Sequence, residues 1–158
     1  MSRSASNKKY VILGAGVAGL TTALELKSRI PGADITILAR DLPGDTAPTY
    51  ASTWAGANWI SSAVDNGPQE EWDRVTYVKF QELAKTSPAS GIESMELRSI
   101  YDDEIENVNI LSRTTGKIWY ENLAGGIRYL DQDQLPEGAK FGFDVDTFIV
   151  NVQKYLPW

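Results

Sequence analysis

The feature that most constrains the fold is a short aliphatic run, Tyr10 to Leu13, followed directly by Gly14-Ala15-Gly16-Val17-Ala18-Gly19. Such a run is typical of a buried parallel strand, and the spacing G-x-G-x-x-G is typical of a turn from a strand into a helix. The first glycine permits the tight turn, the second lets backbone approach a pyrophosphate, and the third lets helix pack on strand. The anion is expected at the helix N-terminus, where unpaired N–H groups and the helix dipole stabilise it.

The residues after the turn complete one βαβ unit. Leu20, Ala23, Leu24 and Ile30 fall on one helix face, and Pro31-Gly32 ends the helix. Residues 34–39 alternate as a second strand, so the crossover between the strands is expected to be right-handed. The apolar tract is too short to span a bilayer, and its glycines fit a folded turn better than a cleaved signal.

An acid follows the second strand at the place where a ribose hydroxyl is expected. Asp41 lies 22 residues after Gly19, and Arg40 stands beside it. An arginine there fits either the 2′-phosphate of NADP or the adenosine end of FAD, and the spacing does not decide between them. Two simpler alternatives are a structural glycine turn without a ligand and a solvated Arg40–Asp41 pair.

Composition removes several classes of function. The 158 residues include no histidine and no cysteine, so Ser-His-Asp catalysis, Cys-His catalysis, Cys/His zinc sites and disulfides are excluded. No metal site is expected. The formal net charge of −6, without a basic stretch, argues against nucleic acid and anionic membranes as partners. The chemistry must come from carboxylates, hydroxyls, Lys, Arg or a cofactor.

The rest of the chain predicts an α+β region. Residues 42–62 form a long loop in which Trp54 and Trp59 are expected to pack in a core. A helix is expected from Pro68 to about Lys85, and further strands from Ile92 onward. The expected helix would bury Trp72, Val75, Val78 and Leu83; the expected strands include residues 118–120, 127–130 and 141–145, and Asp146 is expected to cap a last helix.

Two segments resemble the D-amino-acid oxidases, fungal members in particular. They are Ile37-Leu38-Ala39-Arg40-Asp41-Leu42-Pro43 and the stretch Tyr50 to Trp59, which contains A-S-x-W-A-G-A-N-W. Weaker similarity continues around Trp72 to Leu83, at Trp119-Tyr120 and at Gly126-Ile127-Arg128. The resemblance therefore covers most of the chain from Lys9 onward.

The resemblance implies an α/β fold: an FAD-binding Rossmann-like βαβ unit plus part of an α+β substrate domain with antiparallel strands. It selects FAD over NADP. Carried over by position, Ala15 to Ala18 face the pyrophosphate, Arg40 and Asp41 the adenosine end, and the loop from Ala51 to Asn58 the flavin side. The implied cofactor-binding residues are Gly14, Ala15, Gly16, Val17, Ala18, Gly19, Arg40, Asp41, Ala51, Ser52, Gly56, Ala57 and Asn58.

The family oxidises a D-amino acid to its imino acid, which hydrolyses to a 2-oxo acid and ammonia, while O2 reoxidises the flavin and yields H2O2. Its substrate-binding arginine and tyrosines come from the second half of the family's chain, so no catalytic residue is assigned. The expected division is a disordered terminus (1–8), the N-terminal part of the FAD-binding domain (9–62), a partial substrate and interface domain (63–145) and the truncated start of a returning helix (146–158). An inactive, truncated FAD-binding module and an NADP-dependent dehydrogenase are the alternatives.

The resemblance also implies a peroxisomal location, although Leu156-Pro157-Trp158 is not a peroxisomal signal; otherwise a cytoplasmic location is expected. Exposed apolar surface on an incomplete domain would favour self-association.

Overall fold

A computed structural model describes residues 8–64 and 67–158. The predicted disordered terminus lies outside these residues, apart from Lys8. The described chain forms two compact units: one holds the residues up to Gly56 together with Asn151–Trp158, and the other holds Ala57–Val150. None of the described helices is both long and apolar enough to cross a membrane.

The first unit contains the predicted βαβ arrangement. Strand β1 (Lys9–Leu13) is followed by helix α1 (Val17–Arg29) and strand β2 (Asp34–Leu38). The strands are parallel and in continuous register from Lys9 opposite Asp34 to Leu13 opposite Leu38. The α/β prediction for this part of the chain is confirmed, since a parallel pair requires the helical crossover that the glycine turn begins. The predicted burial of β1 is wrong, because Val11 and Leu13 are 62% and 80% exposed in a sheet of only two strands.

Two short helices complete the first unit. Helix α2 (Ala51–Trp54) lies within the predicted long loop, and helix α4 (Val152–Tyr155) follows Asn151, whose side chain accepts a hydrogen bond from the Lys154 amide. The side-chain amide of Gln153 donates to the Thr53 carbonyl over 3.1 Å. This bond ties the end of the chain to the segment that follows β2.

The second unit is an antiparallel sheet packed against one long helix. Helix α3 (Pro68–Thr86) precedes strand β3 (Ile92–Tyr101), and the strands β4 (Ile127–Tyr129) and β5 (Phe141–Val150) complete a sheet of order β3-β5-β4. Strand β5 pairs with β3 over ten residues, from Phe141 opposite Tyr101 to Val150 opposite Ile92. Single-turn 3-10 helices occur at Pro88–Ser90 and Gln132–Gln134.

An aromatic cluster forms the core of the second unit. The ring of Trp59, 6% exposed, lies edge-on to Tyr77 and Tyr120 at centroid distances of 4.8 and 5.6 Å. Its Nε1 donates to the Asp73 carbonyl on α3. The backbone beside Trp59 extends the sheet, because its amide donates to the Phe148 carbonyl over 2.9 Å. The segment 57–59 is thus fixed on the edge of β5.

Two predicted elements are wrong. Residues 118–120 form turns rather than a strand; Ile118 and Tyr120 are 1% and 2% exposed because their side chains anchor those turns in the core. The helix expected from Asp146 is also wrong, because β5 runs on to Val150. Ladder pairing with β3 over the β-branched and aromatic residues of this segment outweighs the helical spacing of its apolar residues.

The predicted buried face of α3 is wrong in part. Leu83 is buried as expected, but Trp72 and Val75 are 65% and 54% exposed, and Val78 is also exposed. The helix instead buries Tyr77, which packs on Phe148 of β5 at a centroid distance of 5.0 Å. The helix carries two apolar stripes, and periodicity does not indicate which one faces a sheet.

Candidate cofactor-binding site

The glycine turn has the geometry that its spacing predicts. Gly14 has φ +96°, a backbone conformation that side chains disfavour. A Cβ on Gly19 would lie 2.0 Å from the Gly14 carbonyl oxygen, so α1 crosses the turn at a distance that only glycine permits. Ala15 is 2% exposed and lies beneath the turn rather than at its surface. The turn therefore presents its outer backbone and the start of α1.

The N-terminus of α1 is suited to an anion. The first intrahelical bond runs from the Leu20 amide to the Gly16 carbonyl, so the amides of Val17, Ala18 and Gly19 precede the regular ladder. The first turn contains no acidic residue, and Gly16 supplies no side-chain cap. Unpaired amides at the positive end of the helix dipole are the groups that bind a pyrophosphate.

The segment after β2 returns to this turn and holds it. The hydroxyl of Ser52 accepts a hydrogen bond from the Val17 amide over 3.1 Å. The hydroxyl of Tyr50 donates to the Ala15 carbonyl over 2.6 Å. Burial, followed by the charges of nearby Asp45 and Asp41, raises the pKa of Tyr50, so its hydroxyl stays protonated and able to donate. Ser52 thus lies directly at the predicted pyrophosphate position.

Arg40 and Asp41 are joined at the end of β2. The Nε and Nη2 atoms of Arg40 both donate to Asp41 Oδ2, over 2.9 and 2.7 Å, and Nη2 also donates to the Thr49 hydroxyl. The hydrogen bond that Arg40 donates to Asp41, followed by the negative charge of Asp41, raises the pKa of Arg40. The guanidinium is therefore already engaged, whereas Asp41 Oδ1 remains an acceptor suited to a ribose hydroxyl.

Of the remaining predicted positions, Ala51 and Gly56 belong to the first unit, and Ala57 and Asn58 belong to the second. Ala51 begins α2 and is exposed, and a Cβ on Gly56 would meet nothing within 4 Å. The protein itself does not require glycine at position 56. In the second unit, the Ala57 carbonyl accepts from the Val150 amide, and Asn58 forms a β-bridge with Ile149. The contact of these four residues with a flavin stays a prediction.

The two tryptophans of the predicted loop differ. Trp59 is in the core, as expected. The core position expected for Trp54 is wrong: its ring is 58% exposed, and its Nε1 donates to the Ala47 carbonyl over 3.0 Å. Its short helix α2 begins with the exposed Ala51 and buries only Thr53, so the ring on its last residue stays outside the core.

Sequence reasoning missed Tyr50 and Thr49, which brace the turn and Arg40. Both residues lie in a segment without hydrophobic periodicity, so no pattern indicates which backbone their hydroxyls reach. The family resemblance alone predicts Ser52 as a cofactor-binding residue, since no sequence pattern indicates its hydrogen bond to the Val17 amide. The residues present fit a dinucleotide: a glycine cradle, the first-turn amides of Ala18 and Gly19, and one open carboxylate oxygen of Asp41 stand in the expected order along the chain.

Comparison with known proteins gives a consistent result. A family model described as FAD dependent oxidoreductase, DAO, matches residues 9–157. The chain is 33% identical over 158 residues to the D-amino-acid oxidase of Schizosaccharomyces pombe, covering 100% of this chain and 43% of that protein. It is 31% identical over 153 residues to a D-amino-acid oxidase of Fusarium vanettenii (94% of this chain, 42% of that protein). It is also 31% identical over 170 residues to a D-aspartate oxidase of Talaromyces thermophilus (95% and 45%).

The chain spans less than half the length of each of these curated relatives. The resemblance seen in the sequence is confirmed, and FAD is the cofactor that the family indicates.

Proposed function

The chain belongs to the FAD dependent oxidoreductase family DAO, and on that premise we propose that it binds FAD through its glycine turn as part of an oxidase of D-amino acids. The substrate would be a D-amino acid and the electron acceptor O2. The products would be an imino acid, which hydrolyses to a 2-oxo acid and ammonia, and H2O2. The D-amino-acid and D-aspartate oxidases among its relatives support this class of substrate.

The observation that carries the proposal is the construction of the α1 N-terminus. Gly14 turns the chain, Gly19 brings the helix onto the turn, and the amides of Ala18 and Gly19 remain available to an anion. The pyrophosphate would accept hydrogen bonds from these amides and would be stabilised by the helix dipole. Ser52, which accepts from the Val17 amide, would exchange that bond for a bond donated by its hydroxyl to a phosphate oxygen.

Arg40 and Asp41 would hold the adenosine end. Asp41 Oδ1 would accept from a ribose hydroxyl, while the two bonds from Arg40 to Oδ2 orient the carboxylate. Bound FAD would supply the redox chemistry by accepting a hydride from the substrate Cα. The protein's contribution would be to hold the cofactor and exclude competing reactions. Ala51, Gly56, Ala57 and Asn58 are proposed to face the flavin. The small side chains of the first three would allow close approach, and the side-chain amide of Asn58 would offer a donor and an acceptor.

Two measurements test this function in sequence. FAD added to the purified chain should bind saturably, and NADP should not displace it at equal concentration. Reduction of the bound FAD should then follow addition of D-alanine or D-aspartate without O2, with the L-enantiomers as controls.

Loss of the visible absorbance of oxidised flavin would report that reduction. H2O2 would appear once O2 is admitted. Binding of FAD without reduction by either D-amino acid would favour the alternative of a cofactor-binding module. Displacement of FAD by NADP would favour the dehydrogenase alternative.

A further inference from the structure

The second unit contains a cavity, lined by both polar and apolar residues, that the cofactor site does not use. It has a volume of about 460 Å³ and lies between α3, the sheet strands β3 and β5, and the turn from Asn122 to Gly125. None of the predicted FAD-binding residues lines it. Its volume lies in the range of small-molecule sites, and it is far larger than one water molecule requires.

One wall is a stripe of α3. Tyr77, Gln81 and Lys85 follow one another at spacings of four residues and line the cavity from one side of the helix. The Tyr77 hydroxyl donates to the Asp146 carbonyl over 3.3 Å, which joins this wall to β5. Among the described residues, Lys85 has no ion-pair partner, unlike Lys79 on the same helix, which pairs with Glu82 over 2.9 Å. The cavity therefore has an available ammonium group on its helical side.

The opposite wall carries an oriented carboxylate. Asp146 Oδ1 accepts from Nη2 of Arg128 over 2.8 Å, and the same nitrogen donates to Glu96 Oε2 over 2.8 Å. Asp146 Oδ2 has no hydrogen-bond partner within the described part of the chain. A Cβ on Gly125 would approach this oxygen to 3.4 Å, so the glycine leaves it open. Arg128 fixes the carboxylate while one of its oxygens remains an acceptor.

The charges of the two walls are complementary to a zwitterion. Glu96, Arg128 and Asp146 together leave one negative charge on the sheet side, and Lys85 provides one positive charge on the helix side. We propose that this cavity binds a free α-amino acid. The amino acid's carboxylate accepts hydrogen bonds from Lys85, and its ammonium group donates to Asp146 Oδ2. The hydroxyl of Ser94 and the amide of Asn122, which also line the cavity, supply further neutral partners.

The test uses the whole chain without FAD, so it does not depend on the cofactor site. Glycine, acetate and methylamine are titrated into ¹⁵N-labelled protein, and amide shifts are followed at residues 122–125 and, for comparison, at residues 14–19. We expect glycine to give saturable shifts at residues 122–125 with a dissociation constant in the millimolar range, of order 1 to 10 mM. Acetate lacks the ammonium group and methylamine the carboxylate, so each should bind about tenfold more weakly.

Lys85→Gln and Asp146→Asn should each weaken glycine binding about tenfold. Lys79→Gln is the matched control on the same helix and should leave binding unchanged. Absence of saturable shifts at residues 122–125 up to about 50 mM glycine would overturn the proposal, because a millimolar site is close to full at that concentration. Equal affinity for acetate and glycine, or insensitivity to Lys85→Gln, would overturn it as well.

Discussion

Replacing Gly19 with alanine tests whether the close approach of α1 to the glycine turn requires a residue without a side chain. The added Cβ would lie 2.0 Å from the Gly14 carbonyl oxygen and 3.0 Å from its carbonyl carbon. The closer distance is 1.4 Å short of the 3.4 Å at which ordinary contact begins. Both obstructing atoms are backbone, so relief requires movement of α1 away from the turn rather than rotation of a side chain.

Two opposing terms decide the size of the effect. Overpacking against fixed atoms costs about 1–3 kcal/mol and sometimes more. Alanine is favoured over glycine in a helix by up to about 1 kcal/mol, which offsets part of that cost. Because the clash is with backbone at a very short distance, we expect the overpacking term to win and Gly19→Ala to lower the free energy of unfolding by about 2 kcal/mol.

The assay is urea denaturation followed by circular dichroism, together with FAD titration of the folded variant. Gly56→Ala is the matched control for the unfolding measurement alone, because its Cβ meets nothing within 4 Å and its φ is not left-handed. Its stability should stay within about 0.5 kcal/mol of the wild type. FAD affinity should fall at least about tenfold in Gly19→Ala, since the anion-binding amides move with the helix. Wild-type stability and wild-type FAD affinity in Gly19→Ala would refute the reasoning.

Three further predictions concern a hydrogen bond, an ion pair and an exposed apolar surface. Ser52→Ala should lower the free energy of unfolding by about 1 kcal/mol, because it removes the acceptor of the Val17 amide. Gly16→Ala should destabilise the protein less in the Ser52→Ala background, because the added Cβ would lie 2.7 Å from the Ser52 hydroxyl. A double-mutant cycle by urea denaturation measures both effects, and additive effects would contradict the assigned contact. The two 2.7 Å bonds from Arg98 lower the pKa of Asp144, so the stability from this pair is present at neutral pH and lost as the pH falls below about 4. Asp144→Asn should reduce that loss of stability in acid, as measured by melting curves at several pH values. An unchanged pH dependence would exclude the pair as its source. Leu13 and Val11 are 80% and 62% exposed, so sedimentation should detect concentration-dependent self-association that Leu13→Ser reduces, and a monomer at all concentrations would contradict it.

The sequence predicts the first unit well because its determinants are local. Gly14 and Gly19 act through backbone geometry within a few residues, so their spacing alone indicates both the turn and the close helix crossing. The end of β1 and the start of α1 are set by the same residues. The type and position of β1, α1 and β2 were therefore predictable to within one or two residues, whereas α2, which lies in the predicted loop, and the late start of α4 were not.

The second unit was less predictable because its determinants are distant in sequence. Ile118 and Tyr120 alternate as a strand does, yet they join no strand; the buried Tyr120 ring instead lies edge-on to Trp59, which is distant in the sequence. The helix expected after Asp146 fails for the same reason, since the partner that keeps β5 extended lies about fifty residues earlier, in β3. Tyr50 is comparable, because its hydroxyl reaches Ala15 across 35 residues without any periodic signal.

Equilibrium titration of the purified chain with FAD decides whether the turn from Gly14 to Gly19 holds the cofactor. We expect saturable binding at one site per chain, with quenched flavin fluorescence and a yellow protein after gel filtration. Gly19→Ala should weaken this binding, whereas Gly56→Ala should leave the fold intact. A chain that is folded by circular dichroism yet shows no saturable FAD binding would exclude the turn as a cofactor site.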